Sequence, residues 1–323
     1  MIEDKTLSLE YEDSIFNHRP YVLDAVRQSD GQPVMMKRTR EQEEDYSEQF
    51  MLFLWDEIRG PDPRNRCVPL LDVLHPPDRD FFIFVMPRLL PWDLWPFVQV
   101  SEITNFVSQL FEGLAFMHEH NLAHFDVGFN NVMMDGIHLF TEPHHPVIPE
   151  RVLNGWEHAR HLERHQSPYP VKYYFIDFEF AVHFDSVASH VPMKRPGAQD
   201  KTVPEEQNGE PCDPFAVDVY CAGNIVKKRL LQKYSNLEFA RELIDDMTQA
   251  DPTARPSASD AALRFASICA TLSETQLLAA PLPITKPKVP WWRFWEPILA
   301  DRAARKKAAE DQRALKEFLA TLA

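Results

Sequence analysis

The stretch that most narrows what this chain can fold into is His124-Phe125-Asp126-Val127-Gly128-Phe129-Asn130-Asn131. It fits an H-x-D-x-x-x-x-N spacing, and its neighbours give the spacing meaning. Residues 102–120 (EITNFVSQLFEGLAFMHEH) carry Phe106, Leu110, Leu114 and Met117 at a helical period, and NVMMD immediately afterwards reads as a strand. A helix that stops just before a strand starts forces a tight connection, and Asp126 and Asn131 then face one cleft. Further on, the apolar run from Tyr173 to Ile176 ends in Asp177-Phe178-Glu179. A carboxylate at a strand end is suited to holding a divalent metal.

Upstream, residues 21–38 (YVLDAVRQSDGQPVMMKR) are two apolar-rich runs around Ser-Asp-Gly-Gln, a hairpin signal. Residues 40–55 are acidic and then apolar at Phe50, Leu52, Phe53 and Leu54, which predicts one helix on that sheet. CVPLLDVL and FFIFVM, parted by HPPDRD, predict a further strand pair. Near residue 90 the pattern changes from sheet to helix. The expected fold class is therefore α+β, with a small antiparallel sheet plus one helix over 15–88 and a larger, mainly helical part over 89–278. Within the second part, 136–170 is rich in His, Pro and charge and reads as a surface loop. Its His138, His144, His145, His158, His161 and His165 lack a fixed ligand spacing, so a metal site is the weaker reading. Residues 279–297 read as a Pro/Trp-rich linker and 298–323 as a charged helix with Leu315, Phe318, Leu319 and Leu322 on one face. Trp291, Trp292, Phe294 and Trp295 beside Arg302, Arg305, Lys306 and Lys307 allow an interfacial membrane anchor. Interspersed Glu296, Asp301, Glu310 and Asp311 favour packing on the body or on a partner instead.

Charge and composition exclude several classes. A net charge of −15 argues against a nucleic-acid surface. Cys67, Cys212, Cys221 and Cys269 are far apart, without zinc or disulfide spacing, which suits reduced thiols. The N-terminus lacks a signal-peptide pattern, and no apolar run approaches the ~18 residues of a membrane span. An intracellular protein, cytoplasmic or nuclear and without a transmembrane segment, is expected.

Three later stretches complete an ordered series: Val203-Pro204-Glu205, then Asp218-Val219-Tyr220-Cys221-Ala222-Gly223, then Asp251-Pro252-Thr253-Ala254-Arg255-Pro256. With HFDVGFNN and Asp177-Phe178-Glu179, the series resembles the H-R-D, D-F-G, A-P-E, D-V-W-S-x-G and D-P-x-x-R-P motifs of eukaryotic protein kinases, over residues 20–272. Through DPRNRCVPLLDVL and KYYFIDF the chain is also similar to a divergent kinase-like group of basidiomycete fungi. The resemblance implies a bilobal protein-kinase-like fold with a five-stranded sheet and one helix in the N-lobe and a helical C-lobe. It also implies ATP and Mg2+ as cofactors and a protein substrate or binding partner.

Site roles follow from the same resemblance. Lys37 takes the place of the lysine on the α- and β-phosphates, with Glu48 as its helix partner and Glu44 as the alternative. Leu52, one turn after Glu48, is expected on the cleft floor with Phe178 and His124. Asp126 stands in the place of the base that accepts the hydroxyl proton, and Asn131 and Asp177 in the metal-ligand places. Met86, Pro87 and Leu89 look like the adenine-side strand end and hinge. Glu205 and Arg255 resemble a buried bracing ion pair, and Asp218 the residue that anchors the catalytic loop from below.

The pattern also breaks. No G-x-G-x-x-G precedes Lys37, where Gly31 belongs to the hairpin turn. The catalytic-loop arginine is Phe125, so a phosphate on Ser186, Ser189 or Thr202 lacks its usual cation. Gly128 and Asn130 stand where serine/threonine and tyrosine kinases, respectively, carry a cation for the moving phosphate. Losing one such preorganised group costs about a hundred- to a thousandfold in rate. Glu179 replaces the glycine of D-F-G, as an added ligand or as a solvent-facing carboxylate. Two readings follow: a weak, atypical serine/threonine protein kinase, or a pseudokinase acting as an interaction scaffold. A small-molecule phosphotransferase is disfavoured by Pro204-Glu205 and Asp218.

Overall fold

Apolar alternation builds the first hairpin, β1 (Val22–Val26) and β2 (Pro33–Arg38), paired antiparallel with Val22 opposite Lys37. The loop between them closes on itself. Gly31 adopts φ 71°, the Arg27 amide donates to the Gln32 carbonyl at 2.9 Å, and the Arg27 guanidinium pairs with Asp30. A computed structural model describes residues 21–38, 47–56, 60–77, 81–145, 148–153, 157–186, 189–195, 197 and 199–284, with the side chains of 47, 48 and 208 outside that set. Expectations for Glu44, the Glu48 side chain, residues 15–20 and the tail beyond 284 fall outside it.

The sheet is completed by β3 (Asp72–Leu74) and β4 (Ile83–Pro87) in the order β1-β2-β4-β3, all antiparallel. Four strands pair among the described residues, one fewer than the resemblance implies. A single helix, α1 (Ser47–Leu54), accompanies it. Here the expectation for Leu52 fails. Leu52 is 52% exposed, whereas Met51 and Leu54 are buried at 3% and 0%. The helical period sets the inward stripe at Met51 and Leu54, three apart, and leaves Leu52 outside it.

The helical part is organised on α2 (Val100–Glu119), whose Phe106, Leu110, Leu114 and Phe116 are fully buried. A helix apolar around most of its circumference must be surrounded. Helices α3 (Pro214–Val226), α5 (Ala258–Ala270) and α6 (Glu274–Leu278) pack on it, and α4 (Arg241–Met247) packs on α3. Gly113 is required by close approach, because a Cβ there would lie 2.4 Å from Arg66 Cβ. That contact brings residues 66–68 onto the second hairpin, β7 (Val132–Asp135) and β8 (Lys172–Phe175). The Val68 amide donates to the Phe175 carbonyl at 2.8 Å and the Phe175 amide to the Arg66 carbonyl at 2.6 Å. The short pairs β5 (Leu90–Pro91) with β7, and β6 (Leu122–Ala123) with β9 (Val182–His183), finish the scaffold. The architecture is α+β, and among the described residues no helix is long and apolar enough to cross a membrane.

The described residues of 136–170 are mostly half-buried or exposed, as a surface segment is, yet buried anchors pin them to the body. Arg164 is buried and donates to the carbonyls of Pro96 (3.0 Å), Trp92 (3.0 Å) and Trp95 (2.9 Å), while the His165 ring and backbone amide meet Glu102 at 2.9 and 3.1 Å. His161 stacks on Trp95 and His144 on Phe140. The excursion packs because its guanidinium satisfies carbonyls that the 92–96 turn leaves open. The compact unit that holds these elements runs to Leu282. Residues 279–282, read from composition as the start of a linker, are bonded to the body. The Val100 amide donates to the Ala279 carbonyl at 2.9 Å and the Ser235 amide to the Leu282 carbonyl at 2.8 Å.

One buried ion pair braces the helical part. Both terminal nitrogens of Arg255, whose side chain is 1% exposed, donate to the Glu205 carboxylate at 2.7 Å, a bidentate contact. Arg255→Ala leaves a buried carboxylate unpaired and is expected to lower unfolding free energy by about 3 kcal/mol, read as a urea midpoint shift. A Glu205→Gln/Arg255→Met double variant should lose less than the single one.

Candidate functional site

Strand alternation places the first group. Met35 and Lys37 on β2, two residues apart, share a face, as do Phe84 and Met86 on β4. All four line a cleft of about 550 Å³ with Val22, Met51, Val68, Pro87, Leu89, Asn130, Asn131, Met133, Ile176, Asp177, Phe178, Glu179 and Gln199 among its walls. Of the residues expected in the site, Lys37, Met86, Pro87, Leu89, Asn131 and Asp177 therefore meet in one cavity. Apolar walls with a few convergent polar groups are what a small-molecule site requires.

The β7–β8 register brings the second group together. Because Val132 lies opposite Phe175, the Ile176 amide donates to the Asn131 carbonyl at 2.9 Å, and Asp177 follows beside Asn131. Asp177 has φ 69° and Phe125 has φ 59°. Left-handed backbone at non-glycine residues costs on the order of 1–3 kcal/mol and collects at functional sites.

Lys37 Nζ meets Asp177 Oδ1 at 2.6 Å and Glu179 Oε1 at 2.9 Å. The lysine's carboxylate partners among the described residues thus come from the strand end after β8. Glu179 neither faces solvent nor stands apart; its side chain is 17% exposed and holds the lysine. Burial works against the Lys37 ammonium, but the two carboxylates outweigh it and hold its pKa above the ordinary lysine value of 10.5.

Asp126 lies beneath the cleft at 6% exposure, outside its lining. Its Oδ2 accepts from Asn131 Nδ2 at 2.9 Å and its Oδ1 from the Gln199 amide at 2.8 Å. Burial raises its pKa above the usual aspartate value, opposed by the Gln199 amide and by the charge of Arg195. The loop is held from below by Asp218, which is fully buried and accepts from the amides of His124 at 2.7 Å and Phe125 at 2.8 Å. His124 Nδ1 accepts from the Asp126 amide at 3.3 Å, so its protonated Nε2 donates to the Ile176 carbonyl at 3.0 Å. Phe178 packs against the same imidazole at 4.9 Å.

Several participants escape sequence reading. Gln199 closes over Gly128, where an added Cβ would lie 2.8 Å from Gln199 Oε1, and that oxygen accepts from the Asn130 amide at 3.3 Å. Arg195 donates through Nε to the Phe125 carbonyl at 2.7 Å. Both residues come from 189–202, between Asp177-Phe178-Glu179 and Val203-Pro204-Glu205, a stretch without periodicity. Nothing in the sequence marks them, because their partners Phe125 and Asn130 lie 70 and 69 residues away along the chain.

Asn131, Asp177 and Glu179 are oxygen donors of the kind a hard divalent cation takes, though both carboxylates are engaged by Lys37. No group of three or more His, Cys, Asp or Glu side chains among the described residues is disposed to hold a metal by itself. The sequence matches no protein-family model and no curated protein.

The Lys37 contact has a pH signature. A raised pKa gives stability that is fully present below the unfolded lysine value and is lost as pH rises through the folded one. Wild type should therefore resist denaturant better than Lys37→Met at neutral pH, with the difference shrinking only above pH 10.5. Urea melts of both proteins across that range are the check.

Proposed function

We propose that this chain is a divergent protein-kinase-like phosphotransferase that takes ATP with magnesium and acts on serine or threonine of a protein acceptor. One observation carries the reading. Lys37 from β2, Asn131 from the turn before β7, and Asp177 after β8 converge on one apolar-walled cleft, with Asp126 hydrogen-bonded to Asn131 directly beneath. The order of the sequence motifs supports the same assignment.

In this reading Met86, Pro87 and Leu89 flank the base of the nucleotide, and the Lys37 ammonium neutralises phosphate charge. Pro87 brings no amide donor. Asn131 and Asp177 would hold magnesium, which supplies charge neutralisation for the phosphate oxygens. Asp126 takes the proton of the acceptor hydroxyl as that oxygen bonds to the γ-phosphorus and the bond to the β–γ bridging oxygen breaks, giving a phosphoester and ADP. A carboxylate offers roughly four lone-pair positions, so Asp126 can receive a hydroxyl while retaining the Gln199 and Asn131 contacts.

A second reading, a pseudokinase scaffold, is favoured by a specific feature of the same cleft. Lys37 is already engaged by two carboxylates, and Asp126 is covered by Gln199. Phosphate entering the cleft has to compete for the lysine.

Two measurements separate the readings. ATP with magnesium should raise the melting temperature in the first reading, and no shift would remove it. In radiolabel transfer, Asp126→Asn should reduce incorporation by about a hundredfold or more, the range of general-base contributions; equal incorporation by the variant and wild type defeats the catalytic assignment. A gain-of-function variant goes further. Gly128 has extended backbone (φ −152°), and the three atoms nearest to an added Cβ there all belong to the Gln199 side chain. Gly128→Lys combined with Gln199→Ala is expected to raise transfer about tenfold or more by returning a cation to the phosphate.

A further inference from the structure

The loop that carries Asp126 has no cation of its own, since Phe125 and Gly128 occupy the positions where one is expected. A guanidinium nevertheless sits there. Arg195 reaches in from the 189–195 segment with its side chain only 1% exposed, and it ties this loop to Asp200, Glu206 and α3. Nε donates to the Phe125 carbonyl at 2.7 Å; Nη1 donates to Glu206 at 2.8 Å and to the Asp200 carbonyl at 3.0 Å; Nη2 meets Cys221 Sγ at 3.6 Å. The same Nη2 lies 3.7 Å from Asp126 Oδ1, and the guanidinium carbon is 6.0 Å from the centre of the Phe125 ring.

This placement falls on the most strained point of the loop. Phe125 is left-handed, and the two amides before and at it are held by Asp218. Arg195 holds the carbonyl that leaves it. The peptide unit joining Phe125 to Asp126 is thereby held at its carbonyl, one bond further along the chain than the amides that Asp218 holds. Removal of either support lets φ of Phe125 relax, and the Asp126 carboxylate swings with it. Stability alone is a poor reason for such an arrangement, because buried ion pairs can commonly be replaced by apolar side chains without loss.

We propose that Arg195 is the positioning residue of this loop, a cation delivered from the later segment that fixes the Phe125–Asp126 peptide and presents the Asp126 carboxylate to the acceptor. The proposal deepens the phosphotransferase reading and rests on it for Asp126 acting as base. The loop geometry itself can be tested without turnover.

The experiment uses the full chain as wild type, Arg195→Ala and Arg195→Lys, with melting temperature recorded to normalise for folded protein. Asp126-dependent transfer should fall about ten- to a hundredfold in Arg195→Ala, the scale of a displaced catalytic group, with KM for ATP changed less than about twofold. Arg195→Lys should be intermediate, and methylguanidinium added to Arg195→Ala should restore part of the rate. A purely structural arginine predicts neither the split between kcat and KM nor the rescue. Turnover per folded molecule within about twofold of wild type in Arg195→Ala, or no gain from methylguanidinium, overturns the proposal. If Arg195→Ala does not fold, Arg195→Lys carries the comparison, and an unchanged rate there has the same meaning. If wild type shows no Asp126-dependent transfer, the phosphotransferase reading fails and amide exchange decides the remainder. The amides of Phe125, Asp126 and Val127 should exchange about tenfold faster in the variant while those of α2 stay unchanged, and equal rates reject Arg195 as the positioning group.

Discussion

The geometry of the site hangs on one carboxylate that never meets solvent. Asp218, on α3, accepts two successive backbone amides of the loop that follows β6 and so stabilises a left-handed residue that the loop would otherwise avoid. Hydrogen bonds to an ionised acceptor are stronger than neutral ones, which lets a single side chain offset local backbone strain. His124 extends the support, reaching the Ile176 carbonyl, so the strand end that carries Asp177 is tied to the same anchor. Helix, loop and second hairpin become one rigid unit before any ligand is considered.

Above that unit the cleft is governed by charge. Lys37 sits between Asp177 and Glu179, a compact arrangement in which one cation serves two carboxylates. Glu179 replaces a glycine of the resembled motif, and the replacement changes the source of the lysine's support. Lysine and proposed metal ligand are coupled directly, through the residues following β8. Any anion that enters has to compete with both carboxylates for the lysine.

The excursion over 136–170 is integral to the helical part. Arg164 spends its donors on three carbonyls around Trp92 and Trp95, and Trp92 in turn stacks on Phe106 of α2 and donates to the carbonyl of Phe129 in the turn before β7. A chain of contacts therefore runs from the excursion to the residues beside Asp126. Its His144 and His161 are used as flat, partly apolar rings in stacking, while His165 meets Glu102.

The sequence put Asp126 on the cleft with Asn131, whereas that residue lies outside the lining; by itself the sequence determined the α+β class, the hairpins, the long central helix, and the positions of Lys37, Asn131, Asp177 and Asp218. These are local matters, set by period-two and helical patterning and by motifs whose residues lie close together along the chain. It misjudged Leu52, because a helix face is fixed by what it packs against, and within 136–170 polar composition concealed the buried guanidinium of Arg164. It gave no sign that Glu179 would hold Lys37, that Gln199 would cover Gly128, or that Arg195 would stand beside Phe125. Those contacts join residues distant in sequence through stretches without periodicity. Only the tertiary structure decided them, since a buried charge chooses its partner from whatever the folded surroundings bring within reach.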